Sequence, residues 1–358
     1  MREKIRILLV LALFMAVIPI AAQQSDVTEI KTVEFDIKSN YNFEVLSFFN
    51  VLTSDDYYVR QNKDAYDKFF PLLSEKSKNN ITAMVNILQR TNIAFPLNLL
   101  LAQISGYENN SVTQSFAKKA EINAIVAQVR HTNYIPLSYL DRLDTVLVMS
   151  EQIINDLEAK GFKEYWQQEV KPSIDSLCKE NQELVRKNEF IDIFLTYKPS
   201  LPEKINIYIS RFQRPHGTKL SLNGDAMILS DNFENRTLMV IAHEMFHPPY
   251  DYQKVQESLR KLSKLSFVTE AFNNQNENEK YSQMDYFLEE NIVEALGIYV
   301  AYELGTETDP HTYFKNHDHG SHVLSPLFFD YLLTHPKKQD ETFEKYMNDF
   351  ACTLTDGE

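Results

Sequence analysis

The sequence predicts a predominantly helical α+β protein, on three observations. Apolar residues recur at helical spacing through most of the stretch from Tyr41 to Lys198. A short block of alternating strands follows Pro199-Ser200-Leu201-Pro202. That block runs into an apolar helix carrying His243-Glu244-Met245-Phe246-His247. With 358 residues and 44% hydrophobic content, the chain is long enough for a large core.

Residues 1–22 read as a secretory signal peptide. Arg2, Lys4 and Arg6 form a basic start, Ile7–Ile20 is apolar, and Ala21-Ala22 offers a small-residue cleavage site. The apolar run is short for a membrane span. The next cysteine is Cys178, which argues against a lipid-anchored lipoprotein. The expected destination is periplasmic or extracellular, with no stable membrane insertion after cleavage. A net charge of −14 argues against nucleic acid as a partner, because phosphate binding needs a basic face. Cys178 and Cys352 do not make a disulfide framework, and whether they pair stays open.

Residues 23–200 form the expected helical N-terminal region. It opens with a strand over 33–38, where Val-Glu-Phe-Asp-Ile-Lys alternates. Helical runs then follow through Phe43–Leu52, Met84–Leu88, Leu99–Ile104 and Leu143–Leu157, the last stopped by Gly161. A further helical stretch spans Trp166–Leu184, with Pro172 marking a kink or break. The aromatic and leucine stripes here are core, and no chemistry is visible.

Residues 201–358 carry the chemistry. Ile205–Ile209 alternates as a strand. Lys219–Leu222 and Ala226–Leu229 flank Asn223-Gly224, a hairpin signal, so an antiparallel sheet of about three strands is expected. Asp231 and Glu234 resemble a capping box for the motif helix, and Pro248-Pro249 ends it. Asn273–Lys280 should be an exposed loop, Met284–Leu304 a core helix stopped by Gly305, and two helices around 324–333 and 341–350 close the chain.

On a helix, His243 and His247 lie one turn apart on the same face, so both imidazoles can meet one metal ion. Glu244 is placed to take a proton from a metal-activated water. Neither cysteine has a ligand spacing. The segment after His247 lacks the glycine and third histidine of the H-E-x-x-H-x-x-G-x-x-H arrangement. A third ligand is therefore sought among Glu289, Glu290 and Glu294, since carboxylates on an apolar helix need partners. His311, His317, His319 and His322 cluster downstream in no named metal spacing. They read as an exposed loop, as a second metal site, or as the cleft edge, where His322 is the candidate for an oxyanion or substrate contact.

His243-Glu244-Met245-Phe246-His247, followed by Glu294-Ala295-Leu296-Gly297, resembles the gluzincin type of zincin metallopeptidase. The overall layout is similar to uncharacterised exported bacterial zincin-like proteins. The resemblance implies one zinc ion held by His243, His247 and Glu294, with Glu290 orienting a ligand histidine. It implies that Ala226–Leu229 is the edge strand that pairs with substrate, and that Gly297 lets the two helices approach closely. The implied activity is hydrolysis of a peptide or protein substrate with Glu244 as general base. The alternative is a zinc-binding pseudo-enzyme or interaction protein without turnover.

Overall fold

The computed structural model describes residues 33–130, 135–186, 188–198, 200–221, 224–233, 236–275, 281 and 283–355. The leader expected over 1–22, the Asn223 turn position, Glu234 and residues 276–280 of the polar loop lie outside these. The described residues pack as one unit.

The fold is α+β and mostly helical, around a four-stranded sheet. The strands are β1 (Glu34–Lys38), β2 (Lys204–Ser210), β3 (Gly217–Lys219) and β4 (Ala226–Ser230), in spatial order β1-β2-β4-β3. β1 pairs parallel with β2, with Phe35 opposite Ile205 and Ile37 opposite Ile207. β2 pairs parallel with β4, and only β3 runs antiparallel, with Gly217 opposite Leu229 and Lys219 opposite Met227. The sheet is thus mixed rather than antiparallel, and it recruits β1 from the N-terminal stretch. β1 and β3 are the edges, and β4 is interior, so Ala226–Leu229 is not the edge strand that the resemblance implied. All five β4 residues are buried, as expected for a strand covered on both faces.

The Tyr41–Leu52 helix is buried from Asn42 onward and starts at an Asn40 cap that accepts the Asn42 N–H at 2.8 Å. Its Glu44 reaches the end of β2 and accepts from Ser210 Oγ (2.8 Å), Arg211 N–H (3.1 Å) and Phe212 N–H (3.3 Å). Burial pushes the Glu44 carboxyl up to about 7, the donated hydrogen bonds offsetting part of the cost. Gly161 lies at φ 82° after the Leu143–Ala159 helix. Pro172 falls in the first turn of the Lys171–Val185 helix, directly after a wide helical turn over Trp166–Val170. The chain stays helical through this turn, the Lys171 N–H bonding the Trp166 carbonyl five residues back, and the widened turn accommodates the proline.

The motif helix spans Thr237–Phe246, and the long helix Met284–Glu303 packs against it. Gly297 sits at their crossing. A Cβ there would come 3.2 Å from both His243 Cβ and the Met239 carbonyl oxygen, so only glycine admits this approach without a shift. Asp231 does not cap the motif helix, whose first flanking residue is Arg236. Asp231 is instead buried between Arg211 Nε (2.5 Å) and the Arg214 guanidinium (Nη2, 2.8 Å), a pairing that no local pattern announces. The histidine-rich stretch is more ordered than a loop. Asp309 caps a Pro310–Asn316 helix, and a tight turn over His317–Gly320 follows. The Asp309-Pro310 start signal accounts for it. Helices Ser325–Thr334 and Phe343–Thr355 close the described chain, Cys178 and Cys352 are not joined, and no described helix is long and apolar enough to cross a membrane.

Candidate metal centre

The motif helix is buried at every position except His243, so its histidines leave the core only where the helix meets the long acidic helix. His247 is the residue after the last turn, in extended conformation. The helix's C-terminal carbonyls lack intrahelical donors. Lys198 supplies them: its Nζ donates to the carbonyls of Met245 (2.8 Å), Phe246, His247 and Pro248 (each 3.2 Å). Lys219 Nζ adds a bond to the His247 carbonyl at 2.7 Å. Two cations at the negative end of the helix thereby hold the backbone of His247.

The two rings converge. Nε2 of His247 lies 3.2 Å from Nε2 of His243. Each Nδ1 faces a carboxylate from the long helix: His243 meets Glu294 Oε2 at 3.0 Å, and His247 meets Glu289 Oε1 at 2.7 Å. Glu289 is held in turn by the Tyr252 hydroxyl. A neutral imidazole that donates from Nδ1 keeps its lone pair on Nε2. Both lone pairs then face one point, and Glu290 joins them, with Oε1 3.0 Å from His243 Nε2 and Oε2 3.8 Å from His247 Nε2. Three acceptors around one point call for a cation. Donors about 2.0–2.1 Å from a tetrahedral zinc stand about 3.3 Å apart, and the separations of 3.0, 3.2 and 3.8 Å bracket that. His243, His247 and Glu290 are close enough to hold a metal ion.

The electrostatics agree. Burial disfavours charge on all these groups, yet His247 and His243 hold the Glu290 carboxyl down at about 2, and His317 and His243 hold Glu294 lower still. Burial also opposes protonation of His243, but Glu290 and Glu294 raise its pKa well above the ordinary value. The carboxylates demand positive charge at this place.

The sequence favoured Glu294 as third ligand and Glu290 as the orienting group. The structure puts Glu290 at the two Nε2 atoms and Glu294 on the far ring nitrogen of His243. Both are one turn apart on one face, so the axial offset of the two helices decides between them. Glu289 supplies the second orienting contact.

Glu244 stands on the wall of a cavity of about 440 Å³ together with His243, Glu290, Glu294, His317 and Gly217. Its Oε2 accepts the backbone N–H of Lys219 at 2.7 Å. His216 O accepts from Ser230 N–H and Leu220 N–H donates to Ala226 O, so Gly217 and Lys219 turn their backbone groups away from β4, toward the edge. A Cβ on Gly217 would lie 2.6 Å from Val240 Cγ1 and 3.3 Å from Glu244 Oε1, so glycine lets β3 rest directly on the motif helix. A cavity of about 1130 Å³ opens instead beside Lys198, Pro248 and Phe343 and touches none of His243, Glu244, His247 and Glu290. The smaller cavity is lined by His243, Glu244 and Glu290, and His247 is not on its wall.

His322 does not line this cavity. It is 3% exposed, with its ring centroid 6.0 Å from that of His317. The turn over 317–320 sends it inward, and its carbonyl accepts the Ser325 N–H. His317 is the cluster histidine on the wall, with Arg236, Tyr281 and Tyr313, which no sequence motif singled out. No protein-family profile, curated protein or solved structure matches this chain.

Proposed function

We propose that the protein is a zinc-dependent hydrolase of peptide bonds, with the ion held by His243, His247 and Glu290. One observation carries the reading: two imidazole Nε2 atoms and a carboxylate face one point, while both Nδ1 atoms are engaged by carboxylates. That is the ligand-plus-orienter pattern of a metal site, with three protein donors and room for a fourth ligand. Zinc bound there supplies a water of lowered pKa and polarises a carbonyl.

The chain's own residues supply the rest. Glu244, fixed through Oε2 by the Lys219 N–H, takes the proton of the attacking water and returns it to the leaving amine. The outward N–H of Gly217 on edge strand β3 offers the main-chain hydrogen bond by which an extended peptide adds to a sheet.

The test is Glu244→Gln in the mature chain, assayed on a mixed peptide library with metal content measured in parallel. Bound zinc at wild-type level with turnover reduced at least a hundredfold supports the assignment. Unchanged turnover refutes the role of Glu244. Tight zinc in the wild type with no cleavage of any peptide establishes the non-catalytic zinc-binding alternative.

A further inference from the structure

We infer that the chain holds a second divalent transition-metal ion, on Glu294, His317 and His322. These residues come from the long helix, the tight turn after Asn316 and the segment just before the next helix. Their donor atoms lie within 4.8 Å of one another, and Glu294 and His322 are buried. The Glu294 carboxylate is divided between two tasks. Oε2 meets His243 Nδ1 at 3.0 Å, while the buried Oε1 has no hydrogen-bond partner among the described residues and lies 3.6 Å from His317 Nε2. A buried carboxylate oxygen without a donor is costly, and a cation between it and two imidazoles removes the cost.

Charge balance points the same way. Glu244, Glu289, Glu290 and Glu294 bring four negative charges to one small region, all buried or nearly so. Among the described residues the ion-pair partners of Glu289, Glu290 and Glu294 are histidines, and Glu244 is met by a backbone N–H. With neutral imidazoles and one dication on His243, His247 and Glu290, Lys198 and Lys219 act on Glu289 and Glu244, whereas among the described residues the ion-pair partners of Glu294 are histidines alone. Two imidazoles and one carboxylate suit zinc or a neighbouring first-row cation rather than calcium or magnesium. Glu294 then links the sites: it orients His243 with one oxygen and binds the second ion with the other.

This site does not depend on hydrolytic activity. The experiment loads the mature chain with Zn²⁺, removes free metal by desalting and counts ions per chain by mass spectrometry, with circular dichroism as the fold check. Two ions are expected in the wild type, one in His317→Asn/His322→Asn, and one in His247→Asn/Glu290→Gln. Co²⁺ loading of the two variants should give distinct visible spectra, because the donor sets differ. One ion in the wild type, unchanged in His317→Asn/His322→Asn, overturns the second site. Two ions retained in that folded variant overturn it as well. Failure here leaves the first ion and turnover intact, whereas failure of the hydrolase reading leaves two ions and no turnover.

Discussion

Glu290 and Glu294 differ by one helical turn, and exchanging their roles reverses a measurable order of zinc affinity. Apparent binding at a four-ligand zinc site is about 10–16 kcal/mol, so one ligand carries about 3–4 kcal/mol, or two to three orders of magnitude in Kd. Glu290 Oε1, at 3.0 Å from His243 Nε2, stands in a ligand position. Glu290→Ala should therefore weaken the tighter ion by about 10²–10³-fold. Glu294 and Glu289 reach His243 and His247 on their Nδ1 atoms, at 3.0 and 2.7 Å. Loss of such an orienting carboxylate weakens binding about 10–100-fold, so Glu294→Ala and Glu289→Ala should each fall in that lower range. Competition against a chromophoric chelator at fixed pH reads all three. If Glu294→Ala loses the tighter ion by the larger factor while Glu290→Ala stays within tenfold of wild type, the assignment is refuted.

Three further outcomes follow from contacts elsewhere. Burial raises Glu44 from its ordinary 4.5 to about 7, so the folded protein binds the extra proton and stability falls as pH rises from 4.5 to 7. The full shift corresponds to about 3 kcal/mol; chemical denaturation of Glu44→Gln across that range should lack this loss, and parallel pH slopes would show that Glu44 does not titrate there. Gly297→Ala forces a Cβ to within 3.2 Å of His243 Cβ and the Met239 carbonyl, which should cost about 1–3 kcal/mol by overpacking and weaken the tighter ion. A variant as stable as wild type with unchanged zinc affinity would show that the helices separate freely. Gly217→Val should lower turnover more than zinc binding, because its side chain would enter the space of Val240 Cγ1 and Glu244 Oε1 rather than that of the ligands; equal losses in both measurements would contradict this placement.

Much of the candidate site is legible from local periodicity. His243 and His247 share a face because they are four residues apart, and so do Glu290 and Glu294. The close approach at Gly297, which the family resemblance implied, is present at the helix crossing. Sheet direction does not follow, because alternation marks which face is buried and says nothing of which way a neighbouring strand runs. The antiparallel expectation for β2 and β4 failed on that account. Asp231 resembled a cap because its local spacing fits one, yet Arg211 and Arg214 claim its carboxylate through the tertiary fold.

Local spacing alone puts His243 and Glu244 on one helix of an α+β chain, His247 just past its end, and a row of carboxylates on another helix. That Glu290 meets both Nε2 atoms, that β3 lies at an edge beside β4, and that His317 and His322 gather around Glu294 is visible only in the folded chain. The physical reason is range. Helical and strand periods act over a few residues, whereas the offset between two packed helices, the order of strands and the return of a distant turn are set by packing across the whole core.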